Sequence, residues 1–518
     1  MGVLSTLQGQ NTDWTALALI ILVLTSLIRS LATAFKPSLS SIPGPFLARF
    51  TPFYRLLKIS KGDAPVYYRQ LHEKYGPIVR TGPRTVDISD PKAVPIIYGI
   101  NSKFFKSAFY DTFSPFFEDK VMPSMFSIRD PAGHQALRRP VAQKFSMSSI
   151  KSLEPFADEC TKILVKAMKE LEGQNVDFGA WLQWYAFDVI GAITFQRRFG
   201  FMEKREDVQD MIGGLEAGLK YAGIVSQVPS LHGWLIGNLW VSKFLAAQPF
   251  FKVADPLRTM VQITQECIDD YDRQPQKHGD RPDFLAWLRN EETKGKPMSN
   301  RDMMNHLSNN LLAGSDTTAI SLRAIVYYLV QNRSAYKKLQ NEIDEADRDG
   351  RLSPYITYAE CLELPYLQAA MKEAMRCHPG VSYPLERVVP EGGTNLCGTH
   401  LEAGTIVGVN PAVLHHDKSI FGDDAANFRP ERWIESDEEK VKLMDRHLMT
   451  FGYGSRTCIG KNISIMEMGK LVPLLIRHFE IEWASEEAEW RVETYWFAKQ
   501  HGLKCRLRSR DVPAKLSF

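Results

Sequence analysis

The chain has 518 residues, 44% hydrophobic, 11% aromatic and 24% charged; this is a globular composition, long enough for several average domains or one large enzyme. Lys and Arg number 63 against 60 Asp and Glu, a net charge of +3; without a basic stripe interleaved with aromatics, nothing calls for nucleic acid. Seven scattered cysteines, odd in number and with no Cys-x-x-Cys pair, speak against a disulfide framework and a zinc site, and read as mostly inert thiols of a reducing compartment.

Trp14 to Ile28 carries no charge, and apolar character continues through Leu31, Ala32, Ala34 and Phe35. About 20 such residues span a bilayer, with Arg29 snorkelling near one end. A cleaved signal peptide needs a basic leader, and no Lys or Arg precedes Arg29; a buried core helix is the plainer alternative. Arg29, Lys36 and Arg49 all follow the run, which puts the N-terminus outside the cytosol and the rest of the chain inside. Pro37 to Pro45 (PSLSSIPGP) reads as a stiff hinge. The expected division is an anchor over 1–36, a proline-rich hinge over 37–50 and one body over 51–518.

Tyr75 to Pro91 alternates apolar and polar between turn signals and predicts a β-hairpin. Helical periodicity predicts helices over about 130–170, 176–200, 205–222, 254–273, 300–332 and 364–377. Val381 to Val409 is strand-rich, with turns at Gly392-Gly393, Gly398 and Gly404. The fold class is mainly α with a small β region.

Five stretches carry chemistry. Asp130 is an N-cap with Pro131 at the first helical position, and His134 and Arg138 then share a helix face. In Ala313-Gly-Ser-Asp-Thr-Thr318, poor helix formers cluster inside a long helix, where Thr and Ser back-bonding bends the backbone and opens a groove; a mere kink with a satisfied Thr is the alternative. Glu373 and Arg376 lie three apart on a helix, an ordinary surface pair if alone. Phe428-Arg-Pro-Glu-Arg432-Trp433 follows, 25 residues before Cys458. In Phe451-Gly-Tyr-Gly-Ser-Arg456-Thr-Cys458-Ile-Gly460, a tight glycine loop offers N–H groups to an anionic sulfur, and Phe451 covers it against water. A buried free cysteine is the plain alternative.

Together these stretches resemble the cytochrome P-450 superfamily over nearly the whole chain, in the right order and with similar spacing. The resemblance implies the mostly-α, triangular haem-domain fold behind one N-terminal transmembrane helix. It implies haem b with Cys458 as the axial thiolate ligand of iron. His134, Arg138, Arg387 and Arg456 are then the propionate-binding side chains; a planar guanidinium suits a carboxylate. By the same resemblance Gly314 makes room for O2, Asp316 relays protons and Thr317 holds a water against the bound oxygen. Glu373, Arg376 and Arg432 become a buried brace for the haem loop. Phe104, Phe105, Phe109, Tyr110, Phe113, Phe116, Phe117 and Phe126 fall where the distal pocket is roofed, with further walls at Tyr383, Leu385 and Trp496-Phe497-Ala498. The Trp234–Leu245 segment falls where access loops dip into the membrane.

The implied reaction inserts one oxygen of O2 into an apolar, aromatic or polycyclic secondary metabolite, by hydroxylation, demethylation or epoxidation. No dinucleotide fingerprint follows a strand, so electrons from NADPH must come through a separate NADPH–cytochrome P-450 reductase, with cytochrome b5 as an optional second donor. Arg139, Lys144 and Lys461 are the basic candidates for docking it. The implied location is the endoplasmic reticulum membrane, single-pass, with the catalytic body cytosolic. The run Lys103–Ser107, with Arg138-Arg-Pro140 and Ser146–Ser149, most resembles fungal pisatin-demethylase-type enzymes. Two rivals remain: a haem-thiolate isomerase or dehydratase needing no reductase, and a non-catalytic haem sensor. The intact Asp316-Thr317 pair argues against both.

Overall fold

The computed structural model describes residues 14–247, 256–273, 282–293 and 296–512. Its centre is the helix Asn300–Gln331, capped by Ser299, whose Oγ accepts from the Asp302 N–H at 3.0 Å. Along it lies Phe178–Phe195, a helix apolar on every side and accordingly buried almost throughout. Asp177 caps its start, and Gln196 in the left-handed conformation (φ 51°) ends it. Pro365–Cys377 and Lys461–His478 also pack against the central helix. The predicted helices over 300–332 and 364–377 thus stand close to their expected bounds, whereas that over 176–200 stops at Phe195, where Gln196 turns left-handed. That over 254–273 is seen from Pro256; its first two positions lie outside the described residues.

Other expectations are corrected. The helix predicted over 130–170 is three α-helices, Pro131–Val141, Met147–Lys151 and Glu154–Glu170. Pro140 removes a backbone donor near the first break, Ser146 caps the second helix, and Pro155 fits only the opening turn of the third. The helix predicted over 205–222 begins at Met211, because the Asp207 carboxylate takes up the Ile212 and Gly213 N–H groups; it runs on to Val225. Arg333–Arg348 and Lys461–His478 are helices beyond the predicted set.

The hairpin forms as Ile78–Gly82 and Thr85–Ile88. It belongs to a five-stranded sheet: Ile406–Val409 runs parallel beside Thr85–Ile88, then come Arg387–Val388 and Phe105–Lys106. Its polar positions do not face water as alternation suggests: all nine hairpin residues are buried. The helix Ala64–Tyr75 packs on Ile78–Gly82, and its His72 pairs with Asp87 at 2.5 Å (Nε2 to Oδ1). A separate hairpin, Arg491–Thr494 with Ala498–His501, turns at Trp496 and Phe497.

The helix Trp14–Ala34 has 21 residues, about 31 Å, close to a hydrocarbon core. Over Leu17–Ala34 its mean hydropathy is 2.1 and only 6% of the window is buried, unlike a core helix. Its end is fastened to the sheet. Arg80, wholly buried, donates through Nη2 to Thr33 O (2.9 Å) and Pro83 O (2.7 Å), through Nη1 to Ala34 O (2.9 Å) and Leu39 O (3.1 Å), and through Nε to Gly82 O (3.4 Å). Its backbone N–H donates to Pro43 O at 2.7 Å. A cation on the last carbonyls of a helix is favourable.

Candidate active site

A cavity of about 310 Å³ opens between the central helix and the Phe451–Gly460 loop. The loop is pinned by the Cys458 N–H donating to Phe451 O at 2.8 Å and Thr457 Oγ1 donating to Gly454 O at 2.8 Å. Gly454 takes φ +60°, and a side chain there would run into the Tyr98 carbonyl, so only glycine fits. Arg456 and Arg138 tie the loop to its surroundings: Arg456 Nη1 donates to Ile128 O at 2.9 Å, and Arg138 Nη1 to Thr457 O at 2.8 Å. Cys458 is exposed and lines this cavity. Burial pushes its thiol up; the Gly460 and Lys461 N–H groups and the Arg138 and Lys461 charges offset this only in part. A thiolate at this place therefore needs a cation at the sulfur.

The same cavity gathers His134, Arg138, Arg387, Arg456 and, unforeseen in the sequence, Lys106. Lys106 is 5% exposed, donates to Phe126 O and lies 4.0 Å from the Tyr110 ring centre. In the sheet it stands directly opposite Arg387, a destabilising pairing of like charges. Burial, then Arg387 and Arg456, drive the Lys106 ammonium well below its ordinary pKa. Burial and then repulsion from Arg456 and Arg138 push His134 down to about 3; burial and Arg387 push Arg456 down to about 10. Among the described residues, no carboxylate forms an ion pair with any of the five. Buried cations facing one another without an anion, and a thiol aimed into the same space, fit a dianionic cofactor that also carries a soft metal ion. A lysine between aromatics in a two-residue strand was the signal for Lys106.

Behind the loop, Glu373 and Arg376 are fully buried and share two bonds of 2.9 and 2.8 Å; Arg432 Nε reaches Glu373 Oε1 at 2.8 Å and Trp433 Nε1 reaches Oε2 at 2.9 Å. Burial alone would raise the Glu373 pKa, but Arg376 and Arg432 outweigh it and hold the carboxyl below its usual range. Arg376 continues to His415 O at 2.7 Å. His415 is a link not foreseen: its Nδ1–H donates to Arg376 O (3.1 Å), while Nε2 accepts the Met449 N–H (2.8 Å), two residues before Phe451. Burial and then Arg376 push its pKa down to about 3, so the ring is neutral, as that tautomer requires.

On the central helix, Thr317 lines the cavity and donates Oγ1–H to Ala313 O at 2.7 Å. Asp316 is not in the cavity wall. It is 2% exposed and accepts from Gln183 Nε2 on the neighbouring helix. Gln183 in turn accepts from Arg323 Nη2 at 2.6 Å. Burial raises the Asp316 pKa, against the pull of Arg323 and Gln183. Gly314 lines the cavity as expected of a position that makes room there, and it has a second reason to be glycine: a Cβ would meet Ile190 Cδ1 at 2.6 Å, so the missing side chain also lets Phe178–Phe195 pack close. Ala313 is the small side chain exposed toward the cavity.

Of the expected substrate walls, Tyr110, Phe113, Phe126, Leu385, Trp496 and Phe497 line the cavity. Phe109 and Tyr383 do not; they stack on each other in the core (centroids 5.2 Å), and Tyr383 donates to Gln227 Oε1 at 2.7 Å. Phe104, Phe105, Phe116 and Phe117 also lie outside the wall; Phe104 and Phe117 pack against the core instead. Trp234 and Trp240 stand at the surface, 81% and 80% exposed, with Phe244 also exposed.

The family description Cytochrome P-450 matches residues 43–502. The relative Cytochrome P-450 monooxygenase cicH of Emericella nidulans is 38% identical over 484 residues, 92% of this chain and 95% of its own. Pisatin demethylase of Fusarium vanettenii is 35% identical, over 96% of this chain and 95% of its own. Cytochrome P-450 monooxygenase mpaDE of Penicillium roqueforti is 37% identical, over 91% of this chain but only 55% of its own length.

Proposed function

The chain belongs to the cytochrome P-450 family, an oxygen-incorporating oxidoreductase with haem b on a cysteine thiolate, and from that premise we propose that it is a microsomal monooxygenase of fungal secondary metabolism acting on an apolar, ring-based substrate. Haem b, when bound, supplies the iron at which O2 is split between substrate and water. Cys458 holds that iron, and Lys106, His134, Arg138, Arg387 and Arg456 hold the propionates. The observation that carries this reading is the gathering of the thiol and the unpaired cations in one cavity, beside Thr317 of the helix wall that faces it. Thr317 donates its hydroxyl hydrogen bond to Ala313 O, which leaves Oγ1 free to accept from a water in the cavity and so to orient a proton donor there. Asp316 lies one residue away, behind the cavity wall, where burial raises its pKa against the pull of Arg323 and Gln183, and it relays protons toward that water. Phe451 shields the sulfur.

The pisatin demethylase relative is what supports demethylation among the possible outcomes. The apolar helix and exposed tryptophans support a single-pass endoplasmic reticulum anchor with the body on the cytosolic side. Two electrons come from NADPH through a separate reductase. Of the basic docking candidates, Lys144 pairs with Glu291 at 3.7 Å and Lys461 leans over the Phe451 ring, whereas Arg139 is exposed. Arg139→Glu is expected to slow reduction in a salt-dependent way while the substrate-binding titration stays unchanged.

The deciding experiment is the ratio of product formed to NADPH consumed when reductase, substrate and O2 are supplied. Thr317→Ala is expected to keep haem content and substrate binding, and to lower that ratio about tenfold or more, with hydrogen peroxide making up the difference. Wild-type coupling in this variant would reduce Thr317 to a kink residue. Product formation without reductase would favour the isomerase reading.

A further inference from the structure

Apart from scattered hydroxyls such as Ser124, Thr317, Ser321 and Ser464, two sets of polar groups stand out around the cavity. The basic side chains, Lys106, Arg138, Arg387 and Arg456, all belong to the cluster around His134. The second set is neutral and comes from the first half of the central helix: Asn305, Ser308, Asn309 and Asn310. Two of these are committed within the protein. Asn305 Nδ2 donates to Pro123 O at 2.9 Å, and Ser308 Oγ to Asn305 O at 3.4 Å. Asn310 differs: it is 8% exposed, and its buried Nδ2 meets no acceptor. Asn309 stands beside it, half-buried, in the same wall. Their neighbours there are apolar, among them Ile190, Leu215, Leu257 and Leu312.

A carboxamide donor buried without an acceptor costs about 1–3 kcal/mol, and Leu or Ala would serve the helix better. We propose that Asn309 and Asn310 anchor a neutral oxygen of the substrate, a carbonyl or hydroxyl; this rests on the monooxygenase reading of the cavity. The oxygen is neutral because no charged side chain of the wall lies outside the His134 cluster. The position sets a ruler as well. Asn309 is one helical turn, about 6 Å, before Ala313, and two turns, about 12 Å, before Thr317. A substrate held at the asparagines presents to the Ala313–Thr317 segment a carbon several bonds away from its oxygen. Fused-ring molecules with one oxygen at the edge match this spacing; open-chain hydrocarbons have nothing to offer the asparagines.

The test uses two flat probes with one skeleton, fluorene and 9-fluorenone, which differ only in a carbonyl. Each is titrated against the full-length haem-loaded protein, reading the substrate-induced spin shift. The ketone is expected to bind about tenfold tighter than the hydrocarbon, one well-made hydrogen bond's worth. Asn309→Leu and Asn310→Leu should each erase most of that preference by weakening the ketone, leaving fluorene unchanged or tighter. Asn310→Ala, which loses the donor without adding bulk or charge and suits a helix, should behave as Asn310→Leu does and guards against a variant that fails to fold. A wild type without preference, or variants that weaken both probes equally, would overturn the anchor. The ferrous–CO spectrum, taken on every sample, separates this from failure of the broader reading. A wild type lacking the thiolate-type band overturns the monooxygenase assignment, whereas a normal band with no ketone preference overturns the anchor alone.

Discussion

Cys458→His is expected to give a protein that retains haem, loses the red-shifted ferrous–CO band of thiolate ligation and turns over no substrate. The expectation rests on position. Cys458 is the cysteine exposed to the cavity, and the four most buried ones (Cys160, Cys267, Cys361 and Cys505) have thiols pushed far up by burial. The loop geometry survives the change, because its pinning bonds use the Cys458 backbone N–H and the Thr457 hydroxyl, not the sulfur. Only the ligand atom and its charge are altered. Survival of the red-shifted band in this variant would show that another sulfur holds the iron.

Glu373→Gln is expected to cost about 3–5 kcal/mol, because it leaves the guanidinium groups of Arg376 and Arg432 buried without their carboxylate. Against a typical total of about 5–15 kcal/mol, that loss falls within the range that abolishes folding. Arg432 retains Asp424 at 2.9 Å, so Arg376 is the more severely orphaned. The damage should travel along Arg376, His415 and Met449 to the cysteine loop and appear first as lost haem. The measurements are the haem-to-protein ratio and the urea midpoint. Linkage adds a pH test. The Glu373 pKa is depressed in the folded state, so its contribution is present above the unfolded carboxyl pKa and is lost as pH falls through the lower folded value. Wild type should therefore lose stability in that acid window, and Glu373→Gln should lose the part of that dependence that belongs to this carboxyl. A variant with wild-type haem content and midpoint would mean that the brace carries little load.

Much of this molecule was legible from spacing. The central helix, the Glu-x-x-Arg helix and the cysteine loop each carry a local signature, and the capping by Asp130 is a local event too: its carboxylate accepts the Gly133 N–H at 2.5 Å. What escaped reading depends on partners distant in sequence. Lys106 acquires its place through pairing with Arg387, about 280 residues on. His415 matters because of Arg376 and Met449. The packing role of Gly314 was not legible, because a glycine in a helix does not reveal which neighbour comes close, here Ile190. The helix Arg333–Arg348 was legible and missed: Tyr336, Leu339, Ile343 and Ala346 form its buried stripe amid many charges.

The Arg80 guanidinium bears on where this protein can be cut. Truncation after residue 36, the boundary that hydropathy suggests, deletes Thr33 and Ala34 and strips two of its five carbonyl acceptors. The shortened protein would carry a half-solvated cation in the floor of the sheet, with Leu39, Gly82 and Pro83 as its remaining partners. A cut a few residues upstream, before Ser30, keeps that last turn and also the bond from Ser30 Oγ to Phe50 O at 2.7 Å. A soluble preparation made there should melt higher than one begun at residue 37, although it carries more apolar surface. The boundary between what floats in lipid and what folds in water is drawn by one arginine's reach.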